Sequence, residues 1–142
     1  MDQKPRAAKV DKKEILELRG RLALESLLDA AGGLLPATQV AHLLGLSRDQ
    51  LDEEAKARRI LSIKFEGHAG YPAFQFSSEG ELLPHLPEIM ALLVTDSDIA
   101  KLRFFLTPDP DLNGTAAQAL REGRDLALVM RKATQFGVQT AK

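Results

Sequence analysis

Glycine and proline cut this chain into short pieces, and that punctuation limits the fold more than any other feature. Gly32-Gly33, Pro36, Gly45, Pro72, Gly80, Pro84, Pro87, Pro108, Pro110, Gly114, Gly123 and Gly137 leave only short apolar-periodic runs between them. Proline removes a backbone donor and clashes with the preceding helical turn, while glycine takes the left-handed conformation that ends a helix. The longest continuous apolar stretches, such as Ile89 to Val94, fall far short of the roughly 18 residues that a membrane span needs. What remains is a set of short helices with room for one hairpin, in a compact soluble chain.

The apolar positions fill in the pieces. From Asp11, residues Ile15, Leu18, Leu22, Leu24, Leu27, Leu28 and Ala31 recur at three- and four-residue steps opposite Lys12, Glu17, Arg21 and Glu25, which predicts an amphipathic helix ending at Gly32-Gly33. A second helix starts near Pro36 and carries Val40, Ala41, Leu43 and Leu44 before Gly45. Ser47 with Gln50 three residues on has the spacing of a capping box, opening a third helix to about Arg59. Residues 60–65 and 71–76 are rich in β-branched and aromatic side chains and read as a β-hairpin around Glu66 to Gly70, with Pro72 placing the second strand at an edge. Beyond the polar linker Ser77 to Gly80, helices are expected from about Pro87 to Val94, from Ser97 to Leu106 with Asp96 or Ser97 as cap, from Thr115 to Glu122, and from Arg124 to Gln135, closed by Gly137. The fold class is mainly α. Its expected organisation is a basic arm over 1–12, a winged helix-turn-helix of three helices and a hairpin over 13–77, an all-helical part over 81–137, and a tail over 138–142.

Composition excludes several functions. With 142 residues, a net charge of -1 and no cysteine, the chain holds one domain or two small ones, no disulfide framework and no thiolate site. No apolar segment of signal-peptide type follows the basic residues Lys4, Arg6, Lys9, Lys12 and Lys13, so a cytoplasmic location is expected. Near-zero overall charge means that any nucleic-acid contact must come from a local patch.

Helix two, the turn at Gly45 and helix three match a helix-turn-helix register, with Ala41 where the helices cross and Gly45 four residues later. In that geometry the N-terminal half of helix three faces base edges, which nominates Ser47, Arg48, Asp49 and Lys56, with Arg58, Arg59 and Lys64 as cations toward the wing. Asp49, Asp52 and Glu53 oppose this, because carboxylates repel phosphates and affinity rests largely on cations neutralising them. Two readings therefore stay open: a reader of double-stranded DNA, or a stand-alone protein-interaction module whose degenerate helix-turn-helix never touches DNA.

Catalytic signatures are missing. The sequence holds no phosphate loop, dinucleotide fingerprint, nucleophile elbow or metalloprotease helix, and His42, His68 and His85 stand apart at no metal-ligand spacing. Glu53 and Glu54 occupy consecutive helical positions and diverge. No enzyme, no cofactor and no metal are expected.

Phe105 to Gly114, with Pro108, Pro110, Leu112 and Gly114, followed by Thr115 to Gly123, resembles the core of the Xre/MbcA/ParS toxin-binding family and its Pro-x-Pro-x-Leu-x-Gly joint. Asn113 stands where the family carries glycine, and Ala116 where it carries proline. The resemblance covers about Leu82 to Gly137, and the Leu43-to-Arg48 turn and the Tyr71-to-Phe76 segment look like the helix-turn-helix and hairpin that often precede that domain. It implies an antitoxin-like regulator that dimerises, binds and occludes a partner toxin, typically a RES-domain enzyme that degrades NAD, and represses a promoter. By the same resemblance the toxin contact falls on the terminal helices and tail from Arg121 to Lys142, here Arg121, Arg124, Arg131, Lys132 and Phe136. The last helix shows an apolar stripe of Leu126, Leu128, Val129 and Ala133, which suits either a dimer seam or a core.

Overall fold

The computed structural model describes residues 12–65 and 67–140; residues 1–11 of the expected basic arm over 1–12 and the end of the tail lie outside them, and Lys12 opens the first helix. Its elements run α1 (Lys12–Ala30), β1 (Leu34–Pro36), α2 (Ala37–Leu44), α3 (Arg48–Lys56), β2 (Ile63–Phe65), β3 (His68–Pro72), a 3-10 turn (Ala73–Gln75), α4 (Leu86–Leu92), α5 (Asp98–Leu106), a second 3-10 turn (Pro110–Leu112), α6 (Ala116–Glu122) and α7 (Leu126–Thr140). The protein is mainly helical with one small antiparallel sheet. Among the described residues no helix is long and apolar enough to cross a membrane.

The helix starts follow their caps. Ser47 accepts from the Gln50 amide at 3.0 Å while the Gln50 side chain accepts from the Ser47 amide at 2.9 Å. Thr115 and Gln118 repeat the arrangement at α6, and Ser97 accepts from the Ala100 amide at α5. Each reciprocal pair satisfies two donors that a helix N-terminus otherwise leaves open.

The sheet departs from the expected hairpin in two ways. It has three strands in the order β1-β3-β2, so the strand carrying Pro72 is central and not at an edge, and that strand spans His68–Pro72, with Ala73–Gln75 turning into a 3-10 helix. The proline is tolerated because the Ala73 amide donates to the Gly33 carbonyl at 3.0 Å, which makes Leu34 and Pro72 a non-hydrogen-bonded pair. The missing N–H would have pointed past the end of β2, whose pairing stops at Ile63 with Gly70. Strand β1 went unread because three residues between a double glycine and a helix carry no alternation.

Two helix ends also move. α3 stops at Lys56 and not near Arg59, because Arg58 takes a left-handed conformation at φ 61 and the Arg58 and Arg59 amides fold back onto the Ala55 and Glu54 carbonyls. α7 begins after Asp125, itself left-handed at φ 58, and continues through Gly137 to Thr140 without closing there.

Two apolar clusters hold these elements. The smaller joins Val40, Ala41 and Leu51 of the helix pair to Ile60, Tyr71 and Phe76. The larger centres on Leu86, Ile89, Leu102, Phe105, Leu120, Val129 and Ala133, and also takes in Leu28 and Ala31 of α1 with Leu61 and Ile63 beside β2. Segments on both sides of the Ser77–Gly80 linker thus share one core. α1 packs on α5 through its last turns, while Leu22 stands 54% exposed. Val129 and Ala133 are fully buried, so the inner stripe of α7 belongs to the core and is not free for a seam.

Candidate functional site

Ala41 is buried where α2 and α3 meet, and Gly45 caps α2 at φ 70, with its amide reaching the Ala41 and His42 carbonyls. This holds α3 with Arg48, Asp49, Asp52, Glu53 and Lys56 all exposed, while Leu51 turns inward with no exposure. Ser47 is occupied as the cap. Its hydroxyl is already an acceptor for the helix, which leaves Arg48, the acids and Lys56 as the outward-facing groups.

The cations beyond α3 are partly committed. Arg59 makes a bidentate pair with Glu54 at 3.0 Å on both arms, and the contact holds the Glu54 carboxyl below its usual range and the Arg59 guanidinium above its own. Arg58 pairs with Asp96 at 3.1 Å across the two halves of the chain. Both arginines remain more than half exposed, so these pairs are surface contacts of small strength, open to exchange for a phosphate. Lys64 is exposed on β2 opposite Ala69. Arg48, Lys56, Arg58, Arg59 and Lys64 all lie between the start of α3 and the β2–β3 turn, interleaved with the carboxylates of α3.

The proline joint is built as a closed loop. The Asp109 amide donates to the Gly114 carbonyl at 2.7 Å, Asp109 Oδ1 accepts from the Asp111 amide at 2.9 Å, and Leu112 is buried beneath. Asn113 supplies the left-handed residue at φ 54, a conformation asparagine tolerates better than most side chains. Gly114 has φ 143, and a Cβ there would collide with Gln118 Oε1, the atom that accepts from the Thr115 amide. Gly114→Val should therefore cost about 2 kcal/mol, from backbone strain and loss of one cap bond, read as a lowered melting temperature. Unchanged stability would mean that the joint does not depend on this residue.

Two residues nominated for partner contact clamp this joint. The Arg124 guanidinium donates to the Leu112 carbonyl and pairs with Glu122 and Asp125. Lys132 Nζ reaches Asp111 Oδ2 at 2.9 Å and Asp109 Oδ2 at 3.0 Å, which pushes the Lys132 ammonium up and holds the Asp109 carboxyl down. Arg121 donates to the Phe74 carbonyl, tying α6 to the turn after β3. Phe136 packs edge-on against Phe104 at 5.5 Å, and Phe104 in turn meets Phe105 at 5.4 Å. Arg131 is exposed. Between α5 and α7 an open groove of about 420 Å³ runs past Arg103, Phe104, Thr107, Leu112 and Phe136, with Lys132 and Asp109 on its wall. The three- and four-residue spacing of Ile99, Leu102, Phe105 and Leu106 marks the inner face of α5 and leaves out Phe104, which lies at the margin of that face and packs half-buried against the same larger apolar cluster.

No family model and no curated protein matches the chain significantly. Among solved structures, the NMR structure of Rv2175c is similar in fold, with a TM-score of 0.62 and 22% identity over 73% of this chain and 80% of that chain.

Proposed function

We propose that this chain is an antitoxin-like regulator that binds DNA through a winged helix-turn-helix, α2 and α3 with the β2–β3 turn as wing, and binds a partner protein through its C-terminal helices. The observation that carries the DNA reading is the geometry around Gly45: a buried Ala41 at the crossing, a left-handed turn, and a doubly capped α3 whose outer face is entirely exposed. A helix held that rigidly with no packing on its outer face is arranged to enter a groove. In the C-terminal half, the α5–α7 groove beside Phe104 and Phe136 offers an apolar seat with cationic neighbours, suited to a segment of a toxin of the RES-domain type. Occlusion of the partner, and not chemistry, is the mechanism. The regulator is a homodimer in this reading, as operator-binding helix-turn-helix proteins commonly are.

The double variant Arg58→Ala/Arg59→Ala tests the DNA face. Duplex affinity should fall across all sequences and its salt dependence should drop by about two counterions, with the melting temperature nearly unchanged because both side chains are exposed. Equal affinity in the variant would count against the wing side as the DNA face.

One observation favours a second reading. Asp49, Asp52 and Glu53 are all exposed on the outer face of α3. A protein surface with basic residues would pair with that face more readily than a phosphate backbone, leaving a protein-interaction module with no DNA ligand. Purification from the native host with its bound molecules separates the two: a promoter fragment with a small enzyme supports the regulator, and a protein without nucleic acid supports the module.

A further inference from the structure

Lys101 sits on α5 with 3% of its surface exposed, yet among the described residues no carboxylate or other acceptor lies within bonding distance of its ammonium. The lysine stem is buried while its ammonium is held by no hydrogen bond among these residues, with Asp98 as its electrostatic neighbour, so the donors of that ammonium remain available to a ligand. The described residues contain no fully buried side-chain nitrogen or oxygen that lacks a hydrogen bond. The Lys101 nitrogen therefore opens onto space, and the space beside it is a cavity of about 150 Å³ on whose wall Lys56, Arg58, Ser62, Asp96 and Asp98 also stand.

These groups come from three places: the end of α3, the loop toward β2, and the start of α5. Three cations face two carboxylates. Asp96 is engaged by Arg58 at 3.1 Å, and Asp98, whose carboxyl burial pushes above its ordinary range against the pull of Lys101 and Arg58, is the electrostatic neighbour of Lys101 without bonding it. The wall is thus cationic on balance. About 150 Å³ is roughly five water volumes, room for one phosphate group and a little water, and the charged wall, not the size, is what selects an anion.

We infer that this cavity binds a tetrahedral oxyanion, a phosphate group held by Lys101 from within and by Arg58 and Lys56 at the mouth. The phosphate could belong to a free or monoester phosphate or to one diester of a nucleic-acid backbone. Arg58 then exchanges Asp96 for the phosphate, and Lys101 gains the charge-assisted bonds it lacks. The inference does not rest on the regulatory reading, because its first test contains no duplex.

Inorganic phosphate is titrated into the full chain in chloride buffer at constant ionic strength, with melting temperature and ³¹P line width as readouts. A saturable rise in melting temperature that matched chloride does not give is expected. Lys101→Met should weaken that binding at least about tenfold while leaving the phosphate-free protein as stable or more so, since methionine keeps the volume without the charge. Arg58→Gln, on the surface, should weaken it as well and guards against a misfolded Lys101 variant. If free phosphate does not saturate but Lys101→Met lowers duplex affinity and reduces its salt slope by about one counterion, the occupant is a diester and the site stands. Phosphate binding that is equal in wild type and both variants would overturn the site, as would the absence of any phosphate effect together with unchanged duplex binding.

Discussion

Gln75→Ala should lower the unfolding free energy by about 3–5 kcal/mol, one of the two largest effects expected of any single substitution in this protein. Gln75 is fully buried in the 3-10 turn after β3. The Leu61 amide donates to its Oε1 at 2.8 Å, and its Nε2 donates back to the Leu61 carbonyl at 2.6 Å. Its own carbonyl accepts from the Leu83 amide at 2.8 Å. One side chain thus completes the backbone of the strand-like segment entering β2, and the same residue's main chain holds the segment leading to α4. Alanine would leave the Leu61 amide and carbonyl unpaired in the core, each at about 1–3 kcal/mol, beside a new cavity. Urea denaturation at neutral pH measures the loss, and a change under about 1 kcal/mol would mean that water replaces the amide. Gln75→Glu sharpens the test. It keeps the acceptor for the Leu61 amide but presents a carboxylate to the Leu61 carbonyl, so its carboxyl must be raised in the folded state by burial and by that oxygen. A group raised on folding contributes stability below its unfolded pKa and loses it as pH rises, so this variant should be closest to wild type in mild acid and weakest at pH 7.

How much of this was legible follows from which signals are local. The start of α3 is written in Ser47 and Gln50 and stands where their spacing puts it, α6 starts from Thr115 as expected, and at α5, where the sequence offers Asp96 or Ser97, the cap is Ser97. The crossing at Ala41 and the stop at Gly45 are equally local. The third strand was not, since β1 exists only because β3 lies beside it, and the central place of Pro72 depends on which pairs of that ladder exchange hydrogen bonds. The end of α3 at Lys56 was hidden for a related reason: the left-handed residue there is Arg58, a type that gives no warning. In the candidate site, the exposed cations could be nominated by charge and register, but their commitments could not. Arg124 and Lys132 are cations on an outer helix by sequence, and only the folded joint shows them bound to Leu112, Asp109 and Asp111. Lys101 is the extreme case. Nothing in a lysine between Ala100 and Leu102 announces that it faces inward, because the pattern of α5 marks its neighbours as the core and reads the lysine as solvent-facing.

Gly80→Val is expected to cost about 4 kcal/mol, and the damage should appear first in the helix-turn-helix. Gly80 has φ 82, which a β-branched residue adopts only under strain, and a Cβ there would lie 2.5 Å from the Leu43 carbonyl oxygen. That oxygen is main chain at the end of α2, so relief requires moving the helix itself. Gly33→Val provides the reference, since Gly33 has a similar φ of 88 but nothing within 4 Å of the added carbon. It carries the conformational penalty without the collision, and the difference between the two variants isolates the contact of the linker with α2. Hydrogen exchange should locate the effect: amides of α2 and α3 lose protection in Gly80→Val while those of α5 and α7 keep theirs, because the cluster of Val40, Ala41, Leu51, Ile60, Tyr71 and Phe76 is separate from the larger core. Uniform loss across both clusters would instead make the chain one cooperative unit. The duplex binding of Gly80→Val would then report global stability and say nothing about the placement of α3.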